Sequence, residues 1–439
     1  MSVDGNKDVL VVAPTVSTAT HQKESWWKRL GAGFVTGAAD DDPSGVATYS
    51  QVGAKFGYAL LWIMFLTIPL MIAIQMISAR IGRATGQGLA DNLSRNFPAA
   101  AVWSLVGLLI IANVINIGAD IAAMGAAVQL LTGGPTLAYG VGLAVISTAL
   151  QVFVPFNKYS PILKFLALSL FSYVATVFAV KVPWGEVLKS TVLPHIQWNV
   201  DYLIAIVAVL GTTISPYLFC WQAAQEVEEM RDSDEREPLK HADHQAPDAL
   251  KRIAMDTSVG MIFSNLVAFF MIVTAAAVLH AHGKTDIQST AEAAQALKPT
   301  AGRFAFLLFS LGIVSTGMLA VPVLAGATAF AVAGAKHAPY GLEKKPAQAK
   351  LFYGVLVGVM AAGTALIFTP VDPIKALYWS AVVNGVCAVP LMAAIMIIAR
   401  REKTMGNHVI GGWLQRLGWL ATAVMGAAAV VMFATLGKG

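Results

Sequence analysis

Long apolar runs separated by short polar connections dominate the chain. Eleven such runs can be traced, and each has the roughly 20 residues that a helix needs to cross a hydrocarbon core of about 30 Å. Their approximate limits are 28–56, 58–82, 100–131, 136–155, 160–182, 200–229, 253–281, 303–335, 350–369, 373–399 and 411–436. A soluble α/β enzyme would instead alternate apolar stretches of about four to eight residues with polar loops. The pattern therefore predicts an all-α integral membrane protein with eleven transmembrane helices.

Composition and charge agree with a chain whose partner is the lipid bilayer. Of its 439 residues, 56% are hydrophobic and 13% are charged, whereas soluble domains carry about 25% charged residues. The net charge of +5 comes from Lys and Arg in short loops, which indicates membrane orientation rather than nucleic-acid binding. Cys220 and Cys387 lie inside apolar segments, so no disulfide framework is predicted. No obligate protein partner is evident.

The denser clusters of basic residues all fall on the same side of the membrane when eleven spans are counted. The denser clusters are Lys23, Lys28 and Arg29 before span 1, Arg80, Arg83 and Arg95 after span 2, Arg231, Arg236, Lys240, Lys251 and Arg252 after span 6, Lys336, Lys344, Lys345 and Lys350 after span 8, and Arg400, Arg401 and Lys403 after span 10. The positive-inside rule then places the N-terminus in the cytoplasm and the C-terminus outside. A bacterial inner (plasma) membrane is the predicted location.

The spans suggest one transmembrane domain built from two sets of five. Residues 1–25 are polar and lack a signal-peptide core, which predicts a disordered cytoplasmic tail. The domain over 26–439 divides into a first repeat at about 28–182, a second repeat at about 200–399 and an extra helix at about 411–436. Because five is odd, the second repeat is inverted relative to the first.

The first span is interrupted at its centre by the run DDDPSG, residues 40–45. One acidic residue in the middle of a spanning helix costs about 2.5–3.5 kcal/mol on insertion scales, so three in an intact lipid-facing helix would be prohibitive. Pro43 lacks a backbone donor, and Ser44 and Gly45 weaken the helix further. The run predicts a helix that breaks at mid-membrane and lines a wet cavity.

The sixth span has a comparable interruption. Its centre holds Gly211, Thr212, Thr213, Ser215 and Pro216. Spans 1 and 6 occupy equivalent positions in the two inverted repeats, and matching broken helices are the best sequence indication of a transporter's central binding site. The two interruptions are therefore predicted to face each other.

The residues at these breaks predict a site for a hard cation. The inner half of span 1 presents its C-terminal carbonyls near Asp42, and such carbonyls favour positive charge. Thr212 and the carbonyls freed by Pro216 add oxygen donors, and Asp40 and Asp41 add negative charge. An oxygen site with carboxylates and without sulfur or imidazole suits Mg²⁺, Ca²⁺ or Mn²⁺ better than softer metals.

Two stretches of sequence resemble the natural resistance-associated macrophage protein (Nramp) family. Between Gly31 and Asn92, the motif DPSG is followed by ATYSQVGAKFGYALLW and QMISARIGRATGQGLAD, and the sixth span reads GTTISPYLFCWQAA. The family carries DPGN in its first helix and GATxMPH in its sixth. The resemblance covers the whole membrane domain and implies the LeuT-type fold and transport of divalent transition metals, usually with protons.

The resemblance also implies roles for single residues. The family aspartate and proline correspond to Asp42 and Pro43, and backbone carbonyl ligands would come from Ala39 and Thr212. The family's asparagine, methionine and histidine correspond to Gly45, Ser215 and Tyr217, respectively. The family's proton-route aspartate matches Asp120, but the neighbouring acidic position is Ala123, and the arginines of the ninth helix are absent from Leu351–Phe368.

These departures resemble the Nramp-related magnesium transporter branch. Loss of the thioether removes a soft ligand, and Mg²⁺ binds through one or two carboxylates while keeping several waters. The prediction is uptake of hydrated Mg²⁺, with Mn²⁺ as a second ion and weak or absent proton coupling; no bound cofactor is expected. Further residues placed on the substrate or proton path are Asp120, Asn116, Asn384, Tyr217 and Glu226.

A second function stays open at this point. A LeuT-type carrier of a small organic solute, such as an amine or an amino acid, could use Asp42 to bind the amine or a coupling ion. An enzyme is not predicted, because no phosphate loop, nucleophile elbow or zinc motif is found.

Overall fold

The computed structural model describes residues 32–436, apart from 156–157, 160, 163–164, 166–173, 176, 179, 234, 288–289 and 371–372. Its regular elements over these residues are helices. The first set comprises α1 (Ala32–Asp40), α2 (Pro43–Phe56), α3 (Leu61–Thr85), α4 (Leu89–Asn96), α5 (Ala99–Thr132), α6 (Thr136–Phe153) and α7 (Trp184–Val192). The second comprises α8 (Val200–Thr213), α9 (Pro216–Arg231), α10 (Ala246–Val278), α11 (Thr290–Ala335), α12 (Lys350–Leu366), α13 (Pro373–Ala399), α14 (Glu402–Met405) and α15 (Gly412–Leu436).

Ten of the eleven predicted spans have counterparts among the described helices. Eight helical stretches are long and apolar enough to cross a membrane. The first span is the pair α1 and α2, and the ninth is the shorter α12, which has 17 residues. The fifth predicted span, 160–182, and the predicted tail, 1–25, lie mostly or wholly outside the described residues.

Several helices extend beyond the predicted limits. Helix α10 begins at Ala246 rather than near residue 253, because Pro247 occupies the first turn, where its fixed φ suits a helix start. Helix α11 likewise begins at Thr290 rather than near residue 303. Apolar runs mark the part of a helix that suits lipid, whereas the helix itself continues into polar sequence until a cap ends it.

One end of the helix bundle gathers the connections that are rich in Lys and Arg, and we call it the basic face. The Leu239 amide, between α9 and α10, donates to the Arg83 carbonyl at the end of α3 (3.2 Å). The Gly88 amide before α4 donates to the Tyr340 hydroxyl after α11 (3.0 Å). These bonds join connections that the span count places on one side. The segment between α9 and α10 is therefore attached to the bundle at Leu239, which is fully buried, while most of its other described residues are exposed.

The opposite end gathers the remaining connections. Lys55, at the end of α2, lies 2.8 Å from the Asp201 carboxylate at the start of α8. His280 Nδ1, after α10, lies 2.8 Å from the Ala54 carbonyl. Since the end of α2 and the end of α10 meet here, the alternation of connections agrees with the predicted topology.

The two interrupted spans lie at the centre and are held by close backbone contacts. A Cβ on Gly37 of α1 would overlap the Gly260 carbonyl of α10. A Cβ on Gly211 of α8 would overlap the Ala381 carbonyl of α13. Small residues let helix backbones approach closely where lipid offers no hydrophobic driving force. Gly211 therefore serves packing within α8, and the break itself begins after Thr213.

Candidate functional site at the two helix breaks

Asp42 fixes the break in the first span. Helix α1 ends at Asp40 and α2 begins at Pro43, with Asp42 as the N-cap. One carboxylate oxygen, Oδ1, accepts from the Gly45 amide (2.7 Å) and from the Ser44 hydroxyl (2.5 Å). An aspartate cap followed by proline is a strong signal for a helix start. The chain therefore restarts here by its own local chemistry, and Oδ2 is left to face the rest of the site.

In the sixth span, Ser215 lies at the break, but its side chain does not cap the following helix. Helix α8 ends at Thr213 and α9 begins at Pro216. The Ser215 hydroxyl lies 2.9 Å from the Gly211 carbonyl and 2.8 Å from the Thr212 carbonyl. It partners carbonyls that a helix end would leave unsatisfied. Each carbonyl oxygen keeps a second lone pair, so Thr212 can still face an ion.

The two breaks meet each other. A Cβ built on Gly45 would lie 3.2 Å from Thr212 Cγ2. Across the same contact, the Tyr217 hydroxyl of α9 donates to the Ala39 carbonyl of α1 (3.1 Å) and lies 3.4 Å from Asp42 Oδ2. The predicted apposition is therefore present, and Tyr217 bridges two of the predicted oxygen ligands.

Several buried polar atoms at the breaks have no hydrogen-bond partner. Asp40, Asp41 and Asp42 are at most 2% exposed. Within the described part of the chain, buried polar atoms without a hydrogen bond include Asp40 Oδ1, both Asp41 carboxylate oxygens, both Asp120 carboxylate oxygens, the Asn116 amide, Thr212 Oγ1, Tyr49 Oη and Asn384 Oδ1. Buried polar groups are normally paired. At the breaks, Asp40 Oδ1, the Asp41 carboxylate oxygens and Thr212 Oγ1 therefore lack a protein partner, and an ion with its waters would supply one.

Asp40 and Asp41 do not join Asp42 in one ligand cluster. Asp40 Oδ2 accepts from the Ser264 hydroxyl of α10 (3.0 Å). Across residues 32–436, with the gaps noted above, no three His, Cys, Asp or Glu side chains come together as a ready-made metal cluster. The geometry thus offers a cation few anionic ligands at once and leaves much of its coordination to carbonyls and water.

The predicted path residues occupy three separate positions. Asn116 and Asp120 lie one turn apart on α5 and are fully buried, and Asn384 is buried on α13. Glu226 lies near the basic face, where its Oε2 is 2.5 Å from Nη2 of Arg252. Arg252 also contacts the Glu229 carboxylate at 2.8 Å. Glu226 is therefore held in an ion pair that ties α9 to α10, rather than lining an open exit.

Three polar residues of the interrupted first span and of its neighbour α10 were not identified from the sequence. Ser264 holds Asp40, Tyr49 brings a buried hydroxyl to the breaks, and Asp256 accepts from the Gly33 amide at 2.7 Å. Asp256 could have been found, because an acid inside an apolar span is functional by default. A single serine or tyrosine in an apolar run gives no comparable signal.

Known proteins resemble this chain in sequence and in fold. Residues 33–435 match the family model described as natural resistance-associated macrophage protein-like. A relative named divalent metal cation transporter MntH from Pectobacterium carotovorum is 26% identical over 418 residues, which is 93% of this chain and 94% of that protein. A protein of the same name from Klebsiella pneumoniae is 25% identical over 405 residues, covering 90% of this chain and 91% of that protein.

Solved structures agree in fold. The crystal structure of the Eremococcus coleocola manganese transporter with an aromatic bis-isothiourea compound has a TM-score of 0.70 at 17% identity, covering 94% of this chain and 88% of that chain. The nucleobase-cation-symport-1 transporter Mhp1 has a TM-score of 0.59 at 12% identity, covering 93% of each chain. The chain therefore belongs to the natural resistance-associated macrophage protein family of membrane transporters and has the LeuT-type fold, as its sequence predicted.

Proposed function

We propose that this chain transports divalent cations in partly hydrated form, with Mg²⁺ as the main ion and Mn²⁺ as a competitor. The relatives named divalent metal cation transporters support the general class of substrate. The choice of ion rests on the chemistry of the two breaks. It is a substrate proposal, and the ion is cargo rather than a resident cofactor.

The Asp42 carboxylate carries this proposal. Its Oδ1 is used by the α2 cap, so Oδ2 and the Ala39 and Thr212 carbonyls are the oxygen atoms left to face an ion. Position 215, where the family has a methionine, holds a serine whose hydroxyl is turned to the helix carbonyls. A few hard oxygen ligands together with retained water is the coordination that Mg²⁺ prefers, whereas loss of a thioether disfavours softer metals.

Weak or absent proton coupling is the second part of the proposal. A proton relay from Asp42 would need a chain of titratable groups leading away from it. Asp120 is buried on α5, but position 123 is alanine, and α12 contains Lys350 at its start as its sole charged residue. The route therefore has few groups to which it could continue.

We propose further that the protein lies in a bacterial inner membrane with the basic face in the cytoplasm. The two relatives described above are bacterial, and the Lys and Arg excess at that face agrees with the positive-inside rule. The alternative of an organic-solute carrier is not favoured. Structures with organic ligands, such as MhsT with L-phenylalanine at a TM-score of 0.57, share the fold alone.

Uptake into proteoliposomes tests this proposal. We expect wild-type protein to accumulate Mg²⁺, Mn²⁺ to compete, and an imposed pH gradient to change the rate little. Asp42→Ala should abolish flux, because the remaining oxygens carry only partial charge. Asp248→Ala, which removes an exposed carboxylate in the first turn of α10, should leave flux unchanged. Normal flux in Asp42→Ala would remove the site assignment, and flux of an amine but of no divalent ion would favour the organic carrier.

A further inference from the structure

A large polar cavity opens on the basic face, away from the two helix breaks. Its volume is about 880 Å³, within the roughly 300–1,000 Å³ of ligand pockets. Three connections form it: the turn from α3 through α4, the segment between α9 and α10, and the segment around α14. The side chains important here are Arg95, Lys240, His241, Arg401, Glu402 and Lys403.

The lining of this cavity has an excess of positive charge. Arg95, Lys240, Arg401 and Lys403 are cationic, and Glu402 is its one carboxylate. Arg95 is paired with the Asp91 carboxylate outside the lining, at 3.2 Å. The described residues offer no carboxylate partner to Lys240, Arg401 or Lys403, so the cavity presents a concentrated positive potential to the solvent.

Two of these cations are positioned by neutral acceptors. The Arg401 guanidinium donates to the Asn96 carbonyl (2.8 Å) and to Asn96 Oδ1 (3.1 Å). The Lys240 ammonium donates to the Lys403 carbonyl (2.9 Å). A hydrogen bond to a neutral oxygen orients a cation without neutralising its charge. Among the described residues, the Lys403 ammonium has no side-chain partner and is exposed.

The positive-inside rule does not explain why these cations lie close together. Positive-inside residues need only lie in loops on one side, and scattered positions would satisfy that rule. Here Lys240 is anchored by its own amide to the Ala84 carbonyl at the end of α3 (3.1 Å). Arg401 reaches across to the end of α4. Three connections that are far apart in sequence are thus tied into one concave, preorganised surface.

We propose that this cavity binds a phosphate-bearing anion, either the polyphosphate chain of a soluble ligand such as a nucleotide or the phosphate of an anionic phospholipid headgroup. A planar guanidinium suits phosphate oxygens in a bidentate arrangement, and lysine ammonium groups add point charges. The site is separate from the proposed ion path and does not depend on it.

The first measurement uses the purified full-length chain in detergent. Calorimetry in magnesium-free buffer records the binding of inorganic tripolyphosphate. We expect saturable binding that weakens as salt is raised, since exposed charges are screened. Lys403→Gln should raise the dissociation constant about tenfold, and Arg401→Gln with Lys403→Gln should raise it further. The control is Lys344→Gln with Lys345→Gln, which removes two charges from the same face outside the cavity.

The second arm uses nanodiscs of phosphatidylcholine with and without phosphatidylglycerol, with the retained anionic lipid counted by native mass spectrometry. Retention that is lost in the Arg401 and Lys403 double variant, without tripolyphosphate binding, would identify the lipid as the source. The double variant also loses the Arg401 contact with Asn96, which could disturb the cavity. Lys403→Gln alone leaves that contact intact and therefore keeps the test valid. The proposal is overturned if neither probe binds, or if the control variant weakens binding as much as the cavity variants do.

Discussion

The hydroxyl of Tyr217 spans the two helix breaks, and its removal tests the site most directly. It donates to the Ala39 carbonyl (3.1 Å) and lies 3.4 Å from Asp42 Oδ2. Both acceptors are oxygens that we assign to the ion. Without ion, the hydroxyl satisfies a buried carbonyl; with ion bound, the cation itself can satisfy the same oxygens. Tyr217→Phe should therefore destabilise the protein without ion more than the protein with ion.

The size of this effect can be estimated from the bond that is lost. A neutral hydrogen bond contributes about 0.5–1.5 kcal/mol net, and a buried group left unpaired costs about 1–3 kcal/mol. Asp42 Oδ2 at 3.4 Å is at the edge of hydrogen-bond distance, so the Ala39 bond dominates. A difference of about 1.4 kcal/mol between the two forms corresponds to tenfold tighter ion binding.

Thermal unfolding of the purified variants at increasing Mg²⁺ measures both quantities. A ligand of the native state stabilises it by RT ln(1 + [L]/Kd), so Tyr217→Phe should start less stable and gain more on saturation than wild type. Tyr202→Phe is the matched control. Its hydroxyl lies 2.8 Å from the His195 carbonyl on the opposite face, so its loss should lower stability equally at all Mg²⁺ concentrations. Weaker Mg²⁺ binding by Tyr217→Phe would refute the reasoning, because the hydroxyl would then act as an ion ligand itself.

Two further predictions concern the scaffold around the site. Gly211→Ala should prevent stable folding, because its Cβ would overlap the Ala381 carbonyl. Gly107→Ala, in open space within α5, should instead add up to about 1 kcal/mol to stability. Melting temperatures of the two variants in detergent test both expectations. Arg252→Gln should cost about 3–5 kcal/mol by leaving the Glu226 carboxylate buried without its partner. Adding Glu226→Gln should recover much of that loss, and equal destabilisation of the single and double variants would contradict the ion-pair explanation.

The breaks were predictable from sequence because local chemistry creates them. The aspartate cap and proline at Asp42 and Pro43 act within four residues of chain, and Ser215 and Pro216 act over a similar distance. Their apposition followed from the inverted topology, since equivalent helices of two inverted repeats meet at the centre. The family resemblance added the correspondence of single positions, including Tyr217.

The contacts between spans were not predictable in the same way. Nothing in the sequence near Glu226 indicates that Arg252 pairs with it, because that pairing depends on how α9 and α10 pack. The same holds for the Ser264 bond to Asp40. The basic cavity is a stronger example. The positive-inside rule explains each of its charges separately, but only the fold shows that Lys240 and Arg401 line the same cavity.

The contact between Gly45 and Thr212 constrains how a hydrated ion can bind. At 3.2 Å from Thr212 Cγ2, even a single added carbon at position 45 would be tight, so no layer of water fits between the breaks at that point. A water molecule between α2 and α8 at this contact would require the two helices to move apart. The bond from Tyr217 to the Ala39 carbonyl crosses from α9 to α1, so a separation of the two interrupted spans must stretch it as well. A separation of the spans on ion binding would therefore add to the gain in ion affinity expected of Tyr217→Phe, and a variant that binds Mg²⁺ no more tightly than wild type would count against that expectation.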